Sequence, residues 1–144
     1  MSHPLSPLRV LYIDDDDMAL TLTQLQLLKE GIQTETTSDA LEAVGILSTQ
    51  DLDLILLDSV MPAIDGVEML QLMRSLNIQL PVVFFTGHGV EDLRETVKEF
   101  DVLDILDKKS DRFQLPQRLR ELHAEHERRK INSLDSRDAP RAAS

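Results

Sequence analysis

The chain has 144 residues, with 26 acidic against 15 basic side chains and no cysteine. That length suits one domain with a single ordinary core. A net charge of −11 argues against a nucleic-acid-binding surface, and the lack of cysteine excludes a disulfide framework or a thiolate metal site.

The polar start Met1 to Pro7 lacks the apolar stretch of a signal peptide, and no apolar run approaches the roughly 20 residues of a membrane span, so a cytoplasmic protein is expected. Short apolar runs then alternate with stretches of helical periodicity, which predicts an α/β domain built on a parallel sheet. A strand near 8–13 leads straight into Asp14-Asp15-Asp16-Asp17. A helix over 17–29 follows, with Asp17 as its N-cap, Asp16 as a solvated acid, and Leu20, Leu22, Leu25, Leu27 and Leu28 as a broad apolar stripe. Residues 33–37 are polar for a strand, which suits a sheet edge. A helix over 39–49, opened by Ser38 or Asp39, carries Ala40, Leu41, Val44 and Leu47. A strand over 53–57 ends at Asp58, and a helix over 65–75 presents Val67, Leu70 and Met73. A strand over 81–85 ends at Thr86, a helix spans 90–99, and a strand over 102–106 leads to Lys108.

The last helix is expected over 112–128 on the stripe Leu115, Leu119 and Leu122. Pro116 is tolerable only in a first turn, so regular helix begins near 115. His123 and His126, one turn apart, read as a solvated helix face rather than a metal or phosphotransfer pair. The composition of 133–144 predicts disorder. The expected organisation is an N-terminal tail (1–7), one domain (8–126), and a helix extension with a disordered tail (127–144), with no second domain following.

The strand ends carry the chemistry. Carboxylates crowded at the end of a buried strand repel by a few kcal/mol per pair, on the order expected near a protein surface. A hard divalent cation with oxygen ligands is the natural compensation. In an open parallel sheet, ligands bind outside the carboxyl ends of the strands. Asp14, Asp15, Asp58, Thr86 and Lys108 would therefore meet in one cleft.

These motifs, namely Ile13-Asp14-Asp15, the run Leu57-Asp58-Ser59-Val60-Met61-Pro62-Ala63-Ile64-Asp65-Gly66, Phe85-Thr86-Gly87, and Asp104 to Lys108, resemble the receiver domain of two-component response regulators over residues 8–126. The resemblance implies a doubly wound, flavodoxin-like (βα)5 fold with strand order 2-1-3-4-5. It implies Asp58 as the phosphoacceptor, a carboxylate nucleophile. It implies Mg²⁺ held by Asp15, Asp58 and the Val60 backbone carbonyl, with Asp14 helping, often through water. Lys108 would pair with a phosphate oxygen and the Thr86 hydroxyl with another. Such charge neutralisation lets a carboxylate approach an anionic phosphoryl group. The implied partners are a histidine kinase or phosphotransfer protein and a downstream protein bound at the face of the fourth helix, fifth strand and fifth helix. No enzymatic action on other substrates is expected beyond the chain's own phosphorylation and dephosphorylation.

The chain departs from the family at several points. Lys109 stands where proline usually follows the lysine, and Asp101-Val102 replace a usual Gly-Ala pair. Ile105 takes the place of the aromatic switch partner of Thr86. Val60 and His88 flank the expected path of attacking water. Two other readings compete: a receiver-shaped scaffold that is never phosphorylated, and a haloacid-dehalogenase-type phosphatase using Asp14-Asp15-Asp16. The second leaves Asp58 without a role and finds no convincing acidic pair after Lys108. No P-loop motif occurs.

Overall fold

The computed structural model describes residues 7–138. Five strands, β1 (Arg9–Ile13), β2 (Gln33–Thr37), β3 (Leu54–Leu57), β4 (Val82–Thr86) and β5 (Val102–Asp107), alternate with five helices. These are α1 (Asp17–Lys29), α2 (Ala40–Thr49), α3 (Gly66–Ser75), α4 (Val90–Val97) and α5 (Leu115–Asp138). All strand pairs are parallel, in the order β2-β1-β3-β4-β5. This is the expected doubly wound sheet, with polar β2 at one edge.

The two-residue period of the strands splits the core into two layers. Leu11, Ile13, Ile55, Leu57, Val82 and Phe84 pack on one face against Ala43, Met69, Leu70, Met73, Leu93 and Val97 of α2, α3 and α4. Val10, Tyr12, Leu54, Leu56, Val83 and Phe85 pack on the other against Leu20, Leu27, Leu115, Leu119 and Leu122 of α1 and α5. The central strands β3 and β4 are buried along their whole length. That explains why they read as unbroken apolar runs rather than alternating ones.

The helix starts refine the sequence reading. The N-cap of α1 is Asp16, not Asp17: its extended backbone lets Oδ1 accept from the Met18 and Ala19 amides at 3.0 and 3.3 Å. Asp17 is already the first helical residue, so its side chain cannot reach back to those donors. Asp39 caps α2, and Asp65 with Glu68 closes a reciprocal capping box on α3. Pro116 sits in the first turn of α5, as expected.

Burial also corrects the predicted stripes. On α1, Leu20, Thr23 and Leu27 face the sheet, while Leu22, Leu25 and Leu28 are exposed, because five leucines span more of the helix than the sheet covers. On α2 the buried residue is Ala43, and Leu41 is exposed. The α5 helix continues to Asp138, through part of the segment expected to be disordered. Ion pairs at helical spacing, Arg129–Glu125 and Lys130–Glu127, brace the helix just before that segment. The remainder of that expectation, residues 139–144, lies outside the described residues, as do residues 1–6.

The histidines of α5 are half-buried rather than solvated. His123 and His126 line a recess of about 650 Å³ with Leu52, Asp53 and Pro81 at the amino end of the sheet. Burial holds the His126 imidazole below its ordinary pKa. No helix among the described residues is long and apolar enough to cross a membrane.

The cap assignment has a direct test. Asp16→Ala and Asp17→Ala each remove one charge from the same acidic run, but only the first removes a cap. Urea denaturation should find Asp16→Ala less stable than Asp17→Ala by about 1 kcal/mol.

Candidate functional site

The sheet brings the strand-end residues together by ordinary ladder hydrogen bonds. The Asp14 amide donates to the Thr37 carbonyl at 3.1 Å, and the Asp58 amide to the Ile13 carbonyl at 3.0 Å. The Lys108 amide donates to the Thr86 carbonyl at 2.8 Å. Asp14, Asp58 and Lys108 therefore each sit one step past the end of a strand on a backbone fixed by its neighbour, and Thr86 is the last residue of β4. A cleft of about 400 Å³ results, lined by Asp14, Asp15, Asp16, Asp58, Val60, Thr86, Gly87, His88 and Lys108.

The loop after Asp58 is shaped by close packing. A Cβ on Gly66 would overlap the Asp58 carbonyl oxygen and lie 2.9 Å from Ser59 Cα. Only glycine lets α3 start this near the loop after Asp58, where the Gly66 amide donates to the Ser59 carbonyl at 3.0 Å.

Asp14 and Asp58 are both buried, while Asp15 is exposed, and one carboxylate oxygen from each of the three lies within 4.8 Å of the others. Lys108 Nζ is 2.6 Å from Asp14 Oδ2 and 3.6 Å from Asp58 Oδ2. Asp14 Oδ2 also accepts from the Tyr12 hydroxyl at 2.6 Å, and Asp14 Oδ1 accepts from the Asp16 amide at 3.0 Å. Burial alone would raise the Asp14 pKa, but the hydrogen bonds from Lys108 and Tyr12 overcome it and hold this carboxyl below the usual range. Asp58 goes the other way. Its burial, reinforced by the neighbouring Asp14 charge, pushes its pKa up to about 6.

Thr86 is buried, with its hydroxyl 2.7 Å from Ser59 Oγ and 3.2 Å from the His88 carbonyl that it donates to. Val60 and His88 stand exposed at the rim. Ile105 is buried in the layer that holds Phe84, Leu93 and Val97. The Lys109 position makes use of what proline would lack: its amide donates to Asp107 Oδ1 at 2.7 Å, and the Ser110 amide adds a second bond at 3.0 Å. Those amides hold the Asp107 carboxyl below its ordinary pKa. The Asp101-Val102 turn forms without a left-handed residue; among the described residues only Gly31, Asn77 and Gly89 have positive φ.

A family model described as the response regulator receiver domain matches residues 10–120. The chain belongs to this family. Among similar receiver-containing proteins, sporulation initiation phosphotransferase F of Bacillus subtilis is 32% identical over 95 residues, covering 66% of this chain and 77% of that protein. The alkaline phosphatase synthesis transcriptional regulatory protein PhoP of the same organism is 32% identical over 83 residues, covering 58% of this chain and 35% of the relative. The chain thus spans about a third of that regulator's length. The receiver domain of the Francisella response regulator 1452 superposes with a TM-score of 0.74 at 26% identity, covering 84% of this chain and 99% of that one.

Three residues of this receiver site escaped the sequence reading. Ser59 was read only as part of a motif, yet it meets Thr86. Arg112 was not singled out, yet its guanidinium lies 5.2 Å from the Phe85 ring centroid. Tyr12 falls within the strand predicted near 8–13, with no role assigned to it. Two signals could have found it: Tyr12 and Asp14 share a strand face by their spacing of two, and a buried phenol needs a polar partner.

The raised Asp58 pKa predicts a pH effect on stability. Between an unfolded value of 3.8 and a folded value of about 6 the native state holds the extra proton. This group's contribution is therefore complete below the unfolded value and is lost as pH rises through the folded one. Asp58→Asn should be more stable than the parent at neutral pH by on the order of 2 kcal/mol. The difference should shrink towards pH 4 in urea denaturation series run without divalent cations.

Proposed function

We propose that this chain accepts a phosphoryl group on Asp58 in a histidine-to-aspartate phosphorelay and thereby switches a protein-binding surface. The observation that supports this most directly is the placement of Asp58 beside Asp14 and Asp15 with the Lys108 ammonium 3.6 Å away. The Asp58 carboxylate would attack phosphorus, and the new O–P bond would form as the donor's N–P bond to imidazole breaks, returning the electron pair to the imidazole nitrogen. The Lys108 ammonium neutralises a phosphoryl oxygen. The Thr86 hydroxyl exchanges its present partners for another.

The oxygen-only donor set of three carboxylates fits a hard cation such as Mg²⁺. Asp15, Asp58 and the Val60 carbonyl would hold it directly. Asp14 Oδ2 already accepts from Tyr12 and Lys108, which favours an outer, water-bridged part for Asp14 through Oδ1. When bound, the cation supplies charge neutralisation for the phosphoryl oxygens.

The donor is a histidine kinase or phosphotransfer protein. Sensor histidine kinase RcsC of Salmonella typhimurium contains a segment 32% identical to this chain over 90 residues, one tenth of its length. The output surface is the face of α4, β5 and α5, where Arg94, Lys98, Leu103 and Asp104 border a shallow groove. Ile105, packed and β-branched, has few rotamers and no polar tip, so the Thr86-to-His88 backbone carries more of the switch than this side chain does. The setting is cytoplasmic, and the chain acts on no other substrate. The phosphatase alternative has no role for Asp58.

Incubation with a small acyl phosphate and Mg²⁺ should add one phosphoryl group, mapped by mass spectrometry to Asp58 and absent in Asp58→Asn. Normal phosphorylation of that variant at another residue would sink the assignment.

Mg²⁺ should also raise the melting temperature. At about ten times Kd, binding to the native state alone adds roughly 1.4 kcal/mol. Asp15→Ala should remove most of the shift in a calorimetric scan; an equal shift in both proteins would place the metal elsewhere.

A further inference from the structure

Asp14 Oδ2 is shared by two donors of different kinds. The Lys108 ammonium, 2.6 Å away, sits on a long flexible side chain that is also 3.6 Å from Asp58. The Tyr12 hydroxyl, also 2.6 Å away, belongs to a fully buried strand residue whose ring packs against Phe85 with centroids 6.1 Å apart. The Thr23 hydroxyl on α1, itself fully buried, neighbours the Tyr12 oxygen from behind. The Arg112 guanidinium closes the row, donating to Thr23 Oγ1 at 3.1 Å and to the Lys108 carbonyl at 3.3 Å. Gln26 on α1 fixes this end by donating to the Arg112 carbonyl at 2.6 Å. A row of polar groups therefore runs through an otherwise apolar layer, from the acceptor cleft to the junction of α1 with the loop before α5.

A phosphoryl group on Asp58 brings further anionic oxygens to the side of Asp58 that Lys108 faces. An ammonium drawn towards them loosens its hold on Asp14. A fully buried carboxylate that loses its one charged donor is costly to keep charged unless its neutral donors hold. We propose that Tyr12 is a positioning residue for phosphoryl acceptance: its hydroxyl, braced by Thr23 and Arg112, keeps Asp14 fixed and hydrogen-bonded while Lys108 turns from Asp14 to the phosphoryl group on Asp58. The lysine can move because the tyrosine stays. In this arrangement Tyr12 touches neither the phosphoryl group nor the cation. Its effect is on the difference between the free and the phosphoryl-bearing site, not on the free site alone. The role rests on the phosphoacceptor function proposed above.

The test compares two ligands on the full chain by isothermal titration calorimetry: Mg²⁺ alone, and beryllofluoride, a phosphoryl mimic, at saturating Mg²⁺. In Tyr12→Phe, which keeps the ring and its packing, the beryllofluoride affinity should fall at least fivefold while the Mg²⁺ affinity changes less than twofold. Thr23→Val, which removes only the bracing hydroxyl, should show the same selectivity with a smaller loss of about twofold, and it tests the role even where Tyr12→Phe folds poorly. Unchanged beryllofluoride affinity in both variants overturns the inference. An equal loss for both ligands also overturns it, because that is what general loosening of the site would do. A parent protein that binds Mg²⁺ but not beryllofluoride would instead overturn the phosphoacceptor reading itself, and the inference with it.

Discussion

Two buried carboxylates, Asp14 and Asp58, share one ammonium, that of Lys108, with the exposed Asp15 beside them. Their mutual repulsion, on the order of a few kcal/mol per pair at such distances, is divided unequally. Asp14 takes the close contact with Lys108 and the hydroxyl of Tyr12 and stays charged; Asp58 receives the longer contact and holds its proton up to about pH 6. Of these two, Asp58 is thus the less stabilised anion.

The fold exists to hold that imbalance in place. Parallel strands place Asp14, Asp58, Thr86 and Lys108 at the carboxyl end of the sheet, and the ladder hydrogen bonds of the last residues fix their backbones. Two apolar layers clamp the sheet from both faces, so the cleft rests on rigid strands even though its carboxylates and ammonium stand on loop residues. Gly66 allows α3 to start against the loop after Asp58 without pushing it into the cleft. The receiver family is a signalling family, and this chain's departures from it leave the cleft complete while altering its surroundings. Lys109 supplies an amide to the Asp107 turn where proline could not. Ile105 fills core space beside Phe84, Leu93 and Val97.

Much of this was legible in the amino-acid sequence. The five strands and five helices follow from apolar periodicity, with boundaries within a few residues except at the C-terminal end of α5. The polar composition of Gln33 to Thr37 foretold an edge strand because an edge has one ladder side open to water. Asp14, Asp15, Asp58, Thr86 and Lys108 could be placed in one cleft because strand ends in a parallel sheet share a side. What failed were choices among near-equals. Asp16 and Asp17 are the same residue type one position apart, and only the backbone dihedrals decide which one caps. The α1 leucines are chemically alike, and only the seat of the helix on the sheet decides which are covered.

The sequence by itself determined the class of fold, the family and which residue types meet in the cleft, because each depends on residue type and local spacing. The tertiary structure alone decided how one ammonium is apportioned between Asp14 and Asp58, and that Tyr12, Thr23 and Arg112 stand behind Asp14. These depend on distances of a few tenths of an ångström between segments up to about a hundred residues apart. Such distances are fixed by the packing of α1 and α5 against the sheet, and no local pattern in the chain encodes them.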